Sequence, residues 1–263
     1  MLSIGQYVRA QSLEEAYTLC QKKSSVVLGG ILWLKMQNRT VGTAIDLCDL
    51  GLEGIEETEE EFRIGAMTRL RALETHPGLN AYTGGAMARC LGSIVGVQFR
   101  NLATIGGSMY GRFGFSDPLT LLMALGAKVE LYHRGVLELE EFAALPFERD
   151  ILVRVILPKT TKGAVYLSQR NTATDFPVLT FAAARRPEGL ICALGARPGK
   201  ARLFRDEEGI LAGGITPESA ETFGRWLADQ AALGHDLRAG EEYRRRICRV
   251  LARRGLLELA KEE

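Results

Sequence analysis

The five cysteines of this chain, Cys20, Cys48, Cys90, Cys192 and Cys248, are scattered and never pair as CxxC. Thiolate-ligated zinc and iron–sulfur sites need clustered ligands, so no metal site is expected, and reduced core thiols of a cytoplasmic protein are the plain reading. Histidine is scarcer still, with His76, His133 and His235. Their settings (before a proline, in a hairpin turn, after a glycine) suit surface positions, and no catalytic acid or base is assigned. An excess of one charge is also missing: 33 Lys and Arg stand against 32 Asp and Glu. Such a surface exerts no global pull on nucleic acid or anionic lipid. The most apolar windows, such as Leu119–Leu125, are far too short for a membrane span. The opening MLSIGQYVRAQSLEEA lacks the long apolar segment of a secretion signal. GxGxxG and Walker spacings are absent, which argues against Rossmann and P-loop readings.

What is present is a chain of 263 residues, 46% apolar, long enough for two domains with real cores. Ser12 and Glu15 form a capping box ahead of the stripe Leu13, Ala16, Tyr17, Cys20, which predicts a helix. SVVLGG reads as a buried strand ending in a turn at Gly29-Gly30, and Thr43–Leu47 as a second strand. The glutamates between Glu56 and Glu61 read as a solvated turn between two lobes. A strand from Phe62, a short helix stopped by Pro77, and one helix over NAYTGGAMARCLGS follow. KVELYH and VLEL flank a hairpin turn at His133-Arg134-Gly135, and DILVRVILP is a strand closed by Pro158. Beyond it, VYLSQR, FPVLTFAAARR and LICALGA read as strands. Thr216 caps a helix with Pro217 at its first position. The last helix carries Tyr243, Ile247, Val250 and Leu251 as its apolar stripe and six arginines between Arg244 and Arg254. The boundaries are residues 1–160, with lobes of about 1–55 and 56–160, and a separate domain at 163–263.

Two glycine pairs rise above this background. Gly29-Gly30 follows a strand, and Gly106-Gly107 lies in RNLATIGGSMYGRFGFSDPL. Glycine admits positive φ and close approach by a ligand, and successive N–H groups can cradle phosphate oxygens. Two such turns suit a pyrophosphate, although each pair alone reads equally as a plain turn. Asp117, in Ser-Asp-Pro, reads either as a helix cap or as a carboxylate for a ribose diol.

The stretch from Arg100 to Leu131 resembles the second FAD motif of the flavoprotein subunits of molybdenum hydroxylases, of the xanthine dehydrogenase and carbon monoxide dehydrogenase type. VLGGILWLKM is similar to the first FAD loop of that family, IDLCDLGLEGI to the strand after it, and FRIGAMTRLRAL to its Ile-Gly-Ala segment. DILVRVILP and DLRAGEEYRRRICRVLARRGL resemble later segments, so the likeness runs through nearly the whole chain in order. It implies an α+β fold: a two-lobed FAD-binding domain of the vanillyl-alcohol-oxidase type, then a smaller α/β domain. It implies FAD held by Val26, Val27, Leu28, Gly29, Gly30, Ile31, Leu32 and Trp33 on one side. The pyrophosphate would lie on Thr104, Ile105, Gly106, Gly107 and Ser108, the ribose on Asp117, and apolar contacts would come from Ile94 and Leu152. It implies an electron-transfer subunit of a heteromeric oxidoreductase. Its partners would be a 2Fe-2S iron–sulfur subunit and a molybdopterin-containing large subunit, with NAD or another molecule as acceptor.

The chain departs from the family pattern in three places. Ile31 and Leu32 replace a polar pair, Ser108 replaces an asparagine, and no lysine precedes the C-terminal strands, where Gln169 and Arg170 stand instead. These changes motivate an alternative: a non-catalytic assembly subunit whose flavin site has decayed.

Overall fold

The structure, a computed structural model, describes residues 1–262. Three sheets follow one another along the chain. The first is built from β1 (Ser3–Arg9), α1 (Leu13–Cys20), β2 (Ser25–Leu28) and β3 (Thr40–Asp46). Its strands are parallel in the order β1-β3-β2, with Tyr7 opposite Ala44 and Val27 opposite Ile45. β1 is exposed along most of its length, so no apolar alternation announces it. α1 begins where the capping box places it. Ser12 Oγ accepts the Glu15 N–H at 3.1 Å, while the Glu15 carboxylate accepts the N–H of Gln11 rather than that of the cap.

The second sheet is antiparallel, in the order β4 (Ile55–Glu57), β5 (Glu61–Gly65), β8 (Leu152–Pro158), β6 (Lys128–Leu131), β7 (Gly135–Glu138). The acidic segment expected as a solvated turn is the β4–β5 hairpin, with Glu59 and Glu60 exposed at its turn and Glu57 and Glu61 in its strands. Cations hold it: Lys159 Nζ lies 2.7 Å from Glu57 and Arg63 Nε 2.6 Å from Glu61. Between β5 and β6 run α2 (Leu70–Thr75), α3 (Pro77–Tyr82), α4 (Ala86–Gly92), α5 (Val97–Arg100), α6 (Ile105–Gly111) and α7 (Asp117–Ala124), and α8 (Leu139–Ala144) precedes β8. Pro77 starts a helix as well as ending one, because its missing N–H costs nothing at a first turn. The single helix expected over Asn80–Ser93 is broken by Gly84 and Gly85, at φ 56° and 80°.

The third sheet is antiparallel: β9 (Ala164–Arg170), β10 (Pro177–Arg186), β11 (Gly189–Gly195) and β12 (Arg202–Arg205). Strand alternation gives it two apolar faces. Ala164, Tyr166, Ala182 and Ala184 share a core with α4 and α7. Val165, Phe181, Ala183 and Leu194 share another with α9 (Pro217–Gln230) and α10 (Glu241–Leu259).

The buried stripe of α10 differs from the expected one. Tyr243 and Val250 are exposed, and the inward face is Arg244, Cys248, Leu251, Ala252, Gly255, Leu256 and Leu259. Arg244 takes a core position because its guanidinium is satisfied there. It donates to the carbonyls of Val178, Gly234 and Ala239 and pairs with Asp236 at 2.6 Å. Cys48 also departs from expectation: it is exposed, whereas the other four cysteines are buried.

Candidate functional site

β2 and β3 are parallel neighbours, so no tight turn can join them. The chain leaves the carboxyl end of β2 at Leu28, wraps through Gly29–Arg39 with one 3-10 turn at Leu34–Met36, and re-enters as β3. Facing this loop is the segment Leu102–Ser108 that opens α6. The two meet backbone to backbone. A Cβ on Gly30 would lie 2.1 Å from the Leu102 carbonyl oxygen, and one on Gly29 would lie 2.8 Å from Thr104 Oγ1. A Cβ on Gly106 would lie 2.6 Å from the carbonyl oxygen of Ala66. Three of the four glycines are thus required by the protein's own packing. Gly107 is different. A Cβ there would meet only Thr104 Oγ1, at 3.2 Å, and the residue lines a cleft.

None of these glycines has positive φ; the left-handed residue of the loop is Ile31, at φ 53°. A β-branched side chain is strained in that region. Val95, at φ 48°, is a second case on the wall of the same cleft.

The backbone donors divide unequally between the two turns. In the second turn the N–H of Ile105 bonds Thr68 O at 2.9 Å and that of Gly106 bonds Ala66 O at 2.8 Å. The N–H of Gly107 is taken by Thr104 Oγ1 and that of Ser108 by Thr104 O. The second turn therefore spends its donors on holding itself in place. In the first loop, among the described residues, no protein acceptor is bonded to any backbone N–H from Gly29 to Leu34. A run of free donors in a loop that lines a cleft suits an anionic or multiply accepting ligand. Ile31 and Leu32 leave this run intact, since a backbone N–H survives any substitution but proline.

The cleft holds about 900 Å³, at the upper end of small-molecule sites. Of the residues expected to bind a ligand, Val26, Val27, Leu28, Gly29, Gly30, Ile31, Leu32, Trp33, Ile94, Thr104, Gly106, Gly107, Ser108, Asp117 and Leu152 line it. Ile105 does not; it is fully buried in the core beneath the turn.

One wall is aromatic. Trp33 packs 5.8 Å from both Phe99 and Phe115 and 5.4 Å from Phe176, centroid to centroid. Phe115 lies 4.2 Å from Phe176, and Phe113 stacks on Phe115. Sequence reading misses Phe99, Phe115 and Phe176, since four distant segments assemble the wall and no local pattern joins them. Elsewhere Arg149 gathers the carbonyls of Cys20, Lys23 and Ser25 at the cleft surface.

Asp117 is not the cap of its helix. Ser116 is, its Oγ accepting the Leu119 N–H at 3.3 Å, and Asp117 occupies the first helical position. The aspartate is 4% exposed. Its Oδ1 accepts hydrogen bonds from Tyr166 Oη and Arg170 Nη2, both on β9, and neither bond falls on Oδ2. Burial pushes its pKa up to about 6 against the opposing pull of Arg170. Two buried polar atoms of the cleft have no partner: Ser25 Oγ and Arg170 Nε. Free N–H donors, a buried carboxylate with one oxygen outside the Tyr166 and Arg170 bonds, and an apolar wall of mutually tilted aromatic rings fit a dinucleotide that carries pyrophosphate, diol and ring system. Among the described residues no group of His, Cys, Asp and Glu is placed to hold a metal, and no helix is long and apolar enough to cross a membrane.

Known proteins share the family and the fold of this chain. Residues 2–160 match the family described as the FAD binding domain in molybdopterin dehydrogenase. YgfM of Escherichia coli K12 is 28% identical over 253 residues, covering 94% of this chain and 93% of that protein. The nicotine 6-hydroxylase medium subunit of Paenarthrobacter nicotinovorans is 26% identical over 273 residues, covering 96% of each. A chain of the reconstituted CO dehydrogenase from Oligotropha carboxidovorans superimposes with a TM-score of 0.86 at 24% identity, covering 98% of each, which shows a shared fold.

Proposed function

This chain belongs to the family of FAD-binding domains of molybdopterin dehydrogenases, and from that premise we propose that it is the FAD-carrying electron-transfer subunit of a heteromeric molybdenum hydroxylase. It is an oxidoreductase subunit and its cofactor is FAD. Residues 1–160 are the FAD-binding domain, in lobes of about 1–55 and 56–160, and 163–263 is the C-terminal domain. The observation that carries the reading is the run of unbonded backbone donors from Gly29 to Leu34, in a loop that lines the same cleft as Asp117.

Bound FAD supplies one- and two-electron redox chemistry, which belongs to the cofactor. The chain's part is to bind and orient. Gly29–Leu34 offer N–H groups to the pyrophosphate, and Gly107 leaves its side of the cleft free of a side chain. Asp117 accepts from a ribose hydroxyl. Trp33, Phe99, Phe115 and Phe176, tilted against one another, present an apolar wall that keeps water from the flavin, with Ile94 and Leu152 adding apolar contacts. No side chain is assigned a catalytic proton.

Electrons would reach the flavin from a 2Fe-2S subunit served by a molybdopterin-containing large subunit, and leave to NAD or another acceptor. That one relative is named a medium subunit supports this setting. A cytoplasmic location accords with it. The alternative, an assembly subunit with a decayed site, loses support from the free donors at Ile31 and Leu32. The purified chain should be yellow, or take up added FAD in a one-to-one ratio. A colourless chain that refuses FAD at micromolar concentration would favour the alternative.

A further inference from the structure

We infer that Tyr166 is a positioning residue of the cofactor cleft: through its hydroxyl it holds the Asp117 carboxylate with one oxygen presented to the ligand, so that β9 of the C-terminal sheet sets the affinity of a site lying mostly in the first 160 residues. The inference rests on the proposed role of Asp117 in FAD binding. Tyr166 is 1% exposed and does not line the cleft, so it cannot touch a ligand there. Its hydroxyl nevertheless donates to Asp117 Oδ1, across 49 residues of sequence. Arg170, four residues along the same strand and on the same face, donates to the same oxygen. With both bonds on Oδ1, the carboxyl group has one favoured orientation, and Oδ2 is the oxygen left for a hydroxyl of the ligand.

The electrostatic setting agrees. The groups that face Asp117 are Tyr166 and Arg170 from β9 and the Cys90 thiol from α4. Burial raises the acid's pKa, while the hydrogen bonds from Tyr166 and Arg170 lower it. Removing the phenol hydroxyl therefore both loosens the carboxylate and makes it easier to protonate.

The test is FAD binding to the full chain, followed by quenching of flavin fluorescence between pH 5 and 8, for wild type, Tyr166→Phe, Asp117→Asn and the double variant. Tyr166→Phe should weaken binding about five-fold or more and move the pH at which affinity is lost upward. In the Asp117→Asn background the same change should have no further effect, because its target is gone. If Asp117→Asn weakens binding and Tyr166→Phe leaves both affinity and pH profile as in wild type, the inference is overturned while the site stands. If Asp117→Asn itself binds FAD as wild type does, the assigned role of Asp117 fails and the inference with it. Additive effects in the double variant would also overturn it. Should Tyr166→Phe not fold, Tyr166→Met, which also fills the core without a hydroxyl, takes its place in the same cycle with the same outcomes.

Discussion

Gly30 and Leu102 touch so closely that a single methyl group between them is impossible: the Cβ of any other residue at position 30 would stand 2.1 Å from the Leu102 carbonyl oxygen. The two glycine turns of the cleft are thus pressed on each other, and only Gly107 gives up its side chain toward the open space. The two kinds of glycine should fail differently when replaced.

Gly30→Ala is expected to lower the melting temperature of the apo-protein, because neither backbone can yield without shifting its strand or helix. The cost should fall at or above the usual range for overpacking, about 1–3 kcal/mol. Gly107→Val should leave the apo-protein folded within about 1 kcal/mol, the order of the β-branched helix penalty, yet abolish FAD binding. Thermal melts with and without FAD separate the two. Full flavin retention by Gly107→Val would remove this turn from the cofactor site.

Asp117→Asn should reduce FAD affinity roughly five- to a hundred-fold, the loss of a charge-assisted hydrogen bond of about 1–3 kcal/mol. Because Ser116 is the cap, no change in capping confuses the measurement, which is a flavin titration at pH 7.5.

The same residue gives the apo-protein an unusual pH dependence. An aspartate whose folded pKa is raised, here from 3.8 to about 6, binds more protons folded than unfolded between those values. Its contribution to stability therefore declines as pH rises through that window, by up to about 3 kcal/mol, the reverse of an ion-paired surface carboxylate. Relative to Asp117→Asn, wild type should lose stability between pH 4 and pH 7 in denaturant titrations. Parallel curves for the two proteins would contradict the assignment.

Arg244→Ala should destabilise the C-terminal part strongly, by about 3–5 kcal/mol, since Asp236 and three carbonyls lose their partner. Arg244→Met, which refills the space, should recover part of this in chemical denaturation.

Much of the site is legible in sequence because its backbone is local. Val26–Trp33 and Thr104–Ser108 are contiguous stretches whose glycines, and for the first its strand, can be read without knowing what they face. Why those glycines are glycines is not legible, since Gly30 answers to Leu102 and Gly106 to Ala66. The clamp on Asp117 is hidden for the same reason: Tyr166 and Arg170 read as ordinary members of an alternating strand. The face of α10 is misread because Arg244 counts in sequence as a surface charge, when acceptors from distant residues satisfy it in the core. Local propensity finds caps and hairpins; buried polar groups depend on partners brought by topology.

The arginines of α10 bear on assembly. Arg245 is held by Asp229 and Glu241 and is better left alone, while Arg254 is exposed and has no partner among the described residues. Arg254→Glu should weaken co-purification with the partner subunits if α10 meets them, most clearly at low salt, where such contacts are least screened. Equal recovery of the complex with wild type and variant would assign this helix to solvent.

The aromatic wall and the clamp on Asp117 draw on both ends of the chain: Trp33 and Phe115 come from the first half, Tyr166, Arg170 and Phe176 from the sheet beyond residue 160 and the loop within it. A chimera that joins residues 1–160 of one relative to the remainder of another would therefore inherit a mismatched seam through this cleft. In this architecture the unit that can be exchanged between enzymes is the whole subunit, and the boundary in the sequence is not a boundary in the chemistry.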